Sequence, residues 1–241
     1  MEATGQYQLT VTPSVCDESG RLSIAHCFGL FMDAAAQHAA ELSVGIDEMT
    51  RRGLFWLTVR TKVHFLRRPQ MLERVTIRTR PIQPEKVRSI REYRLICGEE
   101  LLAEGKTEWT VVEMPAGKIH PMQDVFPQAI EMAASPAYAE PFCRIDPHFS
   151  EAERFGTYTV RSNDIDVGGH MNNVAYLHAL FGMLSTAERK ALPQGTVEIA
   201  FRAPCFEGET LACFRREADT GAEFAMIKPG GTVGVLVKVG R

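Results

Sequence analysis

Arg161-Ser-Asn-Asp-Ile-Asp-Val-Gly-Gly-His-Met-Asn-Asn-Val-Ala-Tyr176 is the stretch that decides how the rest of this chain is read. Just upstream and into it, Gly156-Thr-Tyr-Thr-Val-Arg161 alternates like a strand. Downstream, Met171, Val174, Leu177, Phe181 and Leu184 recur at helical spacing and predict a buried helix over 171–187. Asp166, Gly168, Gly169 and His170 therefore fall at a helix start. Backbone N–H groups there have no intrahelical partner and carry partial positive charge. Glycines let a ligand carbonyl approach that backbone. A carboxylate, an imidazole and exposed amides together can activate water and hold an oxyanion. The same residues also suit a plain turn, with Asp164 or Asp166 capping the helix and His170 as polar filler.

Working outward, Tyr7 to Thr12 alternates up to Pro13 and predicts a first strand. Ser23 is placed to cap a long helix with Ile24, Cys27, Phe28, Phe31, Ala35 and Leu42 on one side. His26 and His38 lie on this helix without acidic or cysteine companions at ligand spacing, so no metal site is expected. Strand patterns follow at 54–65, 74–81, 87–97 and 101–113. The Pro- and Ala-rich stretch from 115 to 150 reads as a linker, partly helical around 128–133. Then the pattern restarts: strand, helix, and strands at 196–201, 210–215, 223–227 and 233–239. Phe65-Leu-Arg-Arg-Pro69 echoes Phe201-Arg-Ala-Pro204, each followed by a strand, so the chain holds an internal repeat. The expected organisation is a repeat over 1–114, a linker over 115–150 and a second repeat over 151–241. The fold class is α+β, each repeat a curved antiparallel sheet around one long helix.

Composition narrows the function. The 241 residues carry a formal net charge of -3, which argues against nucleic acid as the partner. No Gly-x-Ser-x-Gly elbow, phosphate loop or His-Glu-x-x-His helix is present. The six cysteines form no Cys-x-x-Cys pair and read as free thiols. The N-terminus lacks a basic start and an apolar run, and no stretch approaches a membrane span, so a cytoplasmic protein is expected. Between 51 and 94 there are 13 Lys/Arg against 3 Asp/Glu. That excess reads as a solvated strand face or as a landing surface for an acidic carrier or coenzyme phosphates; RNA binding is a weaker third reading, because the aromatics are not interleaved as stacking platforms need.

Asp164-Ile-Asp-Val-Gly-Gly-His-Met-Asn-Asn173 with Val-Ala-Tyr176 resembles the signature of hotdog-fold thioesterases, most of all the acyl-acyl-carrier-protein thioesterases. It also resembles the 4-hydroxybenzoyl-CoA group. The stretches 53–60, 88–94 and 102–109 resemble family segments too. The resemblance implies a double hotdog that hydrolyses a fatty-acyl thioester of acyl-carrier protein or CoA, without cofactor or metal, as a homodimer. It implies Asp166 as base or nucleophile, His170 as its partner, and the Gly169 and His170 amides as oxyanion donors. Gly168, Asn172 and Cys205 would border the substrate, and Trp56, Phe28 and Phe31 would line the acyl pocket. The chain departs from the plant-type pattern at Gly168, where asparagine is usual, and at Pro204, where a glutamate is usual. Those departures leave open a protein that binds acyl groups and hydrolyses them slowly or not at all.

Overall fold

Two compact units divide between Pro141 and Phe142 in the computed structural model, which describes residues 4–240. The first opens with β1 (Gly5–Thr10) and a 3-10 turn at Pro13–Val15. α1 (Ile24–Glu41) follows, its first turn capped by the Ser23 hydroxyl, which accepts from the His26 amide. After α2 (Ile46–Arg51) come β2 (Leu54–Phe65), β3 (Arg74–Pro81), β4 (Ser89–Cys97), β5 (Glu100–Glu113) and the short β6 (Lys118–His120). The sheet is antiparallel in the order β1-β3-β4-β5-β2, with β6 on the end of β5.

α1 buries Ile24, Cys27, Phe28, Phe31 and Ala35 against this sheet. Phe31 stacks on Tyr93 of β4 with centroids 4.8 Å apart. Fully burying a side chain of that size stabilises by roughly 1.5–3 kcal/mol. His38, on the same face, is buried and has its Nδ1 2.9 Å from the Arg91 guanidinium. The basic run from 51 to 94 is largely consumed inside the unit. Arg60 and Arg88 share Glu108, Arg67 pairs with Glu73 and Glu100, Arg68 with Asp17, and Arg80 with Glu92. Arg74, Arg78 and Arg94 stay exposed.

The stretch after β6 lies against its own unit as a strap. No helix forms over 128–133. Ile130 instead packs with Leu42, Met49 and Val111, so its apolar side chain serves the core without a helical turn. Further on, the Ala137 amide donates to Glu92, Lys106 donates to the Tyr138 carbonyl and Lys62 to that of Pro141. These bonds satisfy buried charged groups of β2, β4 and β5.

The second unit repeats the order with β7 (Arg154–Thr159), α3 (Asn173–Gly182), α4 (Thr186–Ala191), β8 (Thr196–Phe201), β9 (Thr210–Ala218), β10 (Gly221–Ile227) and β11 (Val233–Gly240). Its sheet runs β8-β11-β10-β9-β7, antiparallel throughout. The helix expected over 171–187 is two helices, because Ser185 and Glu188 form a capping box that starts α4 afresh. α3 buries Tyr176, Leu177, Leu180 and Phe181, and the Phe181 ring meets Phe224 edge-on. Residues 142–149 form this unit's strap. The Cys143 amide donates to Glu198, Arg216 donates to the Asp146 and His148 carbonyls, and Ile145 sits among Ala200, Phe214 and Leu236. A helix laid on a curved antiparallel sheet, twice over, is the α+β double-hotdog architecture the pattern predicts.

Candidate active site

The loop between β7 and α3 is a miniature hairpin, with Ile165 bridged to Met171. The Asp166 amide donates to the His170 carbonyl at 3.1 Å, and the Asn172 amide to the Asp164 carbonyl at 2.7 Å. At its tip the Gly169 amide donates to the Asp166 carbonyl at 3.0 Å. Gly169 has φ +75°, the left-handed region that favours glycine. Val167, at the tip, is exposed.

The two aspartates do different work. Asp164 is buried, and its Oδ2 accepts from the Tyr158 hydroxyl and the Arg161 amide, each at 2.8 Å. It ties β7 to the loop. Asp166 is half-buried, with Oδ1 accepting from the Gly168 amide at 2.8 Å. Among the described residues no protein donor reaches its Oδ2. His170 Nδ1 lies 4.0 Å from Asp166 Oδ1, beyond hydrogen-bond distance but close enough for a shared water. Neither aspartate caps α3. Asn172 does, its Oδ1 accepting from the Val174 amide at 2.8 Å, so that oxygen is engaged in structure. The Gly169 amide closes the turn, whereas the His170 amide meets no acceptor among the described residues. An oxyanion site at this loop therefore rests on His170.

Cys205 enters through its backbone: its carbonyl accepts from the Met171 amide at 2.8 Å and anchors the loop. Its thiol is fully buried, and burial pushes its pKa up, which makes it a poor nucleophile. All six cysteines are free.

A loop of the same build occurs in the first unit, 166 - 17 = 149 positions earlier. The Asp17 amide donates to the Arg21 carbonyl, the Gly20 amide to the Asp17 carbonyl, and the Ser19 amide to Asp17 Oδ1. Gly20 has φ +68°, as Gly169 has +75°. The Leu22 amide is anchored on the Pro69 carbonyl as the Met171 amide is on that of Cys205. Pro69 thus corresponds to Cys205 and Arg68 to Pro204, one place from the register suggested by the proline echo. The consequence is electrostatic. Arg68 bonds the Asp17 carboxylate and, with the Ser19 donors, holds its pKa below the usual range against the opposing effect of burial. Pro204 offers Asp166 no such clamp.

The first unit holds a cavity of about 510 Å3 between α1 and the sheet. Ala35, Ala36 and Ala39 leave this space because their side chains end at Cβ. Trp56 borders it, with its indole N–H donating to the Val44 carbonyl at 2.9 Å. Phe28 and Phe31 do not line it. They are core residues, at 4% and 0% exposure. Arg91, Ser89 and Trp109 line it instead; they fall in the family-like stretches 88–94 and 102–109, which the sequence does not mark as pocket residues. The available signal was parity: Ser89, Arg91, Tyr93 and Leu95 alternate onto the buried face of β4.

Family models match twice. The Acyl-ACP thioesterase N-terminal domain matches residues 4–130, and the Acyl-ACP thioesterase C-terminal domain matches residues 148–228. No curated protein matches the sequence. Among solved structures, the chain is similar to an acyl-ACP thioesterase from Bacteroides thetaiotaomicron, with TM-score 0.87 and 20% identity over 99% of this chain and 97% of that one. It is similar to a 12:0-ACP thioesterase from Umbellularia californica, with TM-score 0.84 and 15% identity over 100% and 97%. A putative oleoyl thioesterase from Lactobacillus plantarum gives 0.82 and 17% over 99% and 95%. Identities this low establish the shared fold.

Proposed function

The chain belongs to the acyl-ACP thioesterase family and hydrolyses fatty-acyl thioesters, and on that premise we propose that Asp166 is the group that activates water. The observation that carries this is the contrast between the two loops. Both hold an aspartate in the same turn, yet only Asp17 is locked by an arginine.

In this mechanism Asp166 takes a proton from water and the hydroxide attacks the thioester carbonyl. The negative charge that develops on the carbonyl oxygen faces the His170 amide, a preorganised donor of the kind whose removal costs ~10²–10³ in rate. Collapse of the tetrahedral intermediate breaks the C–S bond. The thiolate leaves and takes up the proton that Asp166 had accepted, passed on by the His170 ring. The products are a free fatty acid and the carrier thiol.

We assign the acyl chain to the alanine-walled cavity of the first unit, with Trp56 on its wall. The carrier is acyl-carrier protein. Arg78 and Arg94 stand directly opposite each other, both exposed, and although Glu104 of β5 flanks Arg94, the pair supports an anionic partner. A cytoplasmic setting and a homodimer belong to the same reading. Among the described residues no helix is long and apolar enough to cross a membrane.

The test is purified protein with matched acyl-carrier-protein and acyl-CoA substrates of several chain lengths. Turnover on the carrier-protein series, with higher kcat/KM than on CoA, is expected. Binding without release of thiol would refute the hydrolytic assignment.

A further inference from the structure

The cavity of the first unit is apolar along α1, carries charged residues of α2 at one side, and has polar donors on β4 and β5. Ser89 and Arg91 are two apart on β4, and Trp109 of β5 stands directly opposite Ser89, so the three side chains share one face. All three border the cavity. Arg91 is only 6% exposed. Its Nη1 lies 2.9 Å from His38 Nδ1 and 3.3 Å from the Thr79 hydroxyl. No carboxylate among the described residues reaches it, and the titratable groups around it are the His38 imidazole and the phenols of Tyr93 and Tyr7. The carboxylates that border the same cavity belong to Asp47 and Glu48 on α2, and Glu48 is paired with Arg51. The Trp109 indole N–H is buried beside the Tyr93 hydroxyl without a well-formed hydrogen bond to it.

A buried guanidinium without a counter-ion is costly unless its donors are matched. Arg carries five N–H donors and accepts nothing. Water can serve them while the cavity is empty. An all-methylene chain would expel that water and leave the free donors of these residues facing hydrocarbon. Resting on the assignment of this cavity to the acyl chain, we infer that the preferred acyl group carries an oxygen acceptor, as a hydroxyl, keto or terminal carboxylate group, which Arg91 binds together with Ser89 and Trp109. Arg91 is then a specificity-determining residue, and the substrate class is oxygenated acyl thioesters.

The experiment separates binding from hydrolysis. Non-hydrolysable amide analogues of dodecanoyl-pantetheine are titrated calorimetrically into the intact protein. The series contains the plain chain, hydroxy and keto chains with the oxygen at successive carbons, and the ω-carboxy chain. At one oxygen position binding is expected to be about tenfold or more tighter than for the plain chain, the range of a hydrogen bond to a charged group. Arg91→Met is expected to bring that gap below about threefold and to tighten the plain chain. A structural role for Arg91 would weaken both series alike. If Arg91→Met does not fold, Trp109→Phe, which removes the N–H and keeps a smaller aromatic ring, is expected to narrow the gap about threefold. The inference is overturned if no oxygenated analogue outbinds the plain chain, or if the gap survives in both variants. Binding of neither series would remove the cavity as the acyl site, and this inference with it. Tight binding of the plain series alone would leave the acyl site standing and sink only the oxygen preference.

Discussion

Pro204→Arg transplants the clamp of the first unit onto the second. Arg68 and Asp17 are 12% and 15% exposed, so their bond is shielded from water on most sides. A hydrogen bond between charged groups in such a setting contributes roughly 1.5–3 kcal/mol. An arginine at 204 would stabilise the ionised form of the Asp166 carboxylate by about that amount. Proton transfer from water to Asp166 must then break the pair, and kcat falls about ten- to hundredfold. The sign of the pH effect is fixed. A general base works when ionised, so activity rises with pH through its pKa, and lowering that pKa moves the acid limb of kcat/KM to lower pH while the plateau drops. The assay is thiol release from an acyl-carrier-protein substrate across the pH range, with a melting curve as control for folding. Asp17→Asn, the control at the clamped loop, leaves kcat unchanged. An unshifted limb with an unchanged plateau in a folded Pro204→Arg protein would refute the reasoning. So would a limb moving to higher pH.

Ala39→Leu adds three carbons to the cavity wall and, at ~0.8 kcal/mol per methylene displaced, lowers kcat/KM for the longest good substrate by roughly fiftyfold. Chains shorter by three methylenes keep their rate, and an unmoved length profile would take the acyl chain out of this cavity. Glu73 is held at about 2, below the usual carboxylate range, chiefly by the Arg67 guanidinium. Its contribution to stability is present above the ordinary carboxylate pKa and is lost as pH falls through about 2. The melting-temperature difference between wild type and Glu73→Gln therefore shrinks as the solution is acidified, and a pH-independent difference would contradict the pairing. Asn172→Ala removes the α3 cap and costs ~1 kcal/mol of stability, read by urea denaturation, whereas Asn172→Asp costs only a few tenths.

Much of this fold is written in local pattern. The strands at 54–65, 74–81 and 196–201 are found at the residues where alternation places them, and Ser23 caps α1 as its position suggests. The apolar spacing reads as one helix over 171–187 and misses the break, which the capping-box spacing of Ser185 and Glu188 marks. Residues 128–133 misled because their apolar spacing answers to the core around Leu42 and Val111 and not to a helical turn. The candidate loop could be found, and the resemblance singles out Asp166, but the residue types alone do not show the division of labour inside it. What separates the two aspartates is the burial of Asp164, with the Tyr158 hydroxyl and the Arg161 amide on its Oδ2. The resemblance points to the first unit and to the α1 face of Phe28 and Phe31 for the acyl pocket, but periodicity marks that face as buried without saying whether a neighbouring side chain or a cavity covers it, and these two rings are covered by side chains. Arg91 was hidden by its charge: counted among a basic surplus, it is a buried wall residue.

Asp166→Asn gives the shortest route to a decision. The asparagine oxygen can still accept the Gly168 amide, so the loop keeps its shape while the base is lost. With a carrier-bound acyl substrate, kcat should fall ~10²–10⁴-fold with the melting temperature unchanged. A rate that stays within about threefold of wild type, well short of what a general base contributes, would contradict hydrolysis at this loop.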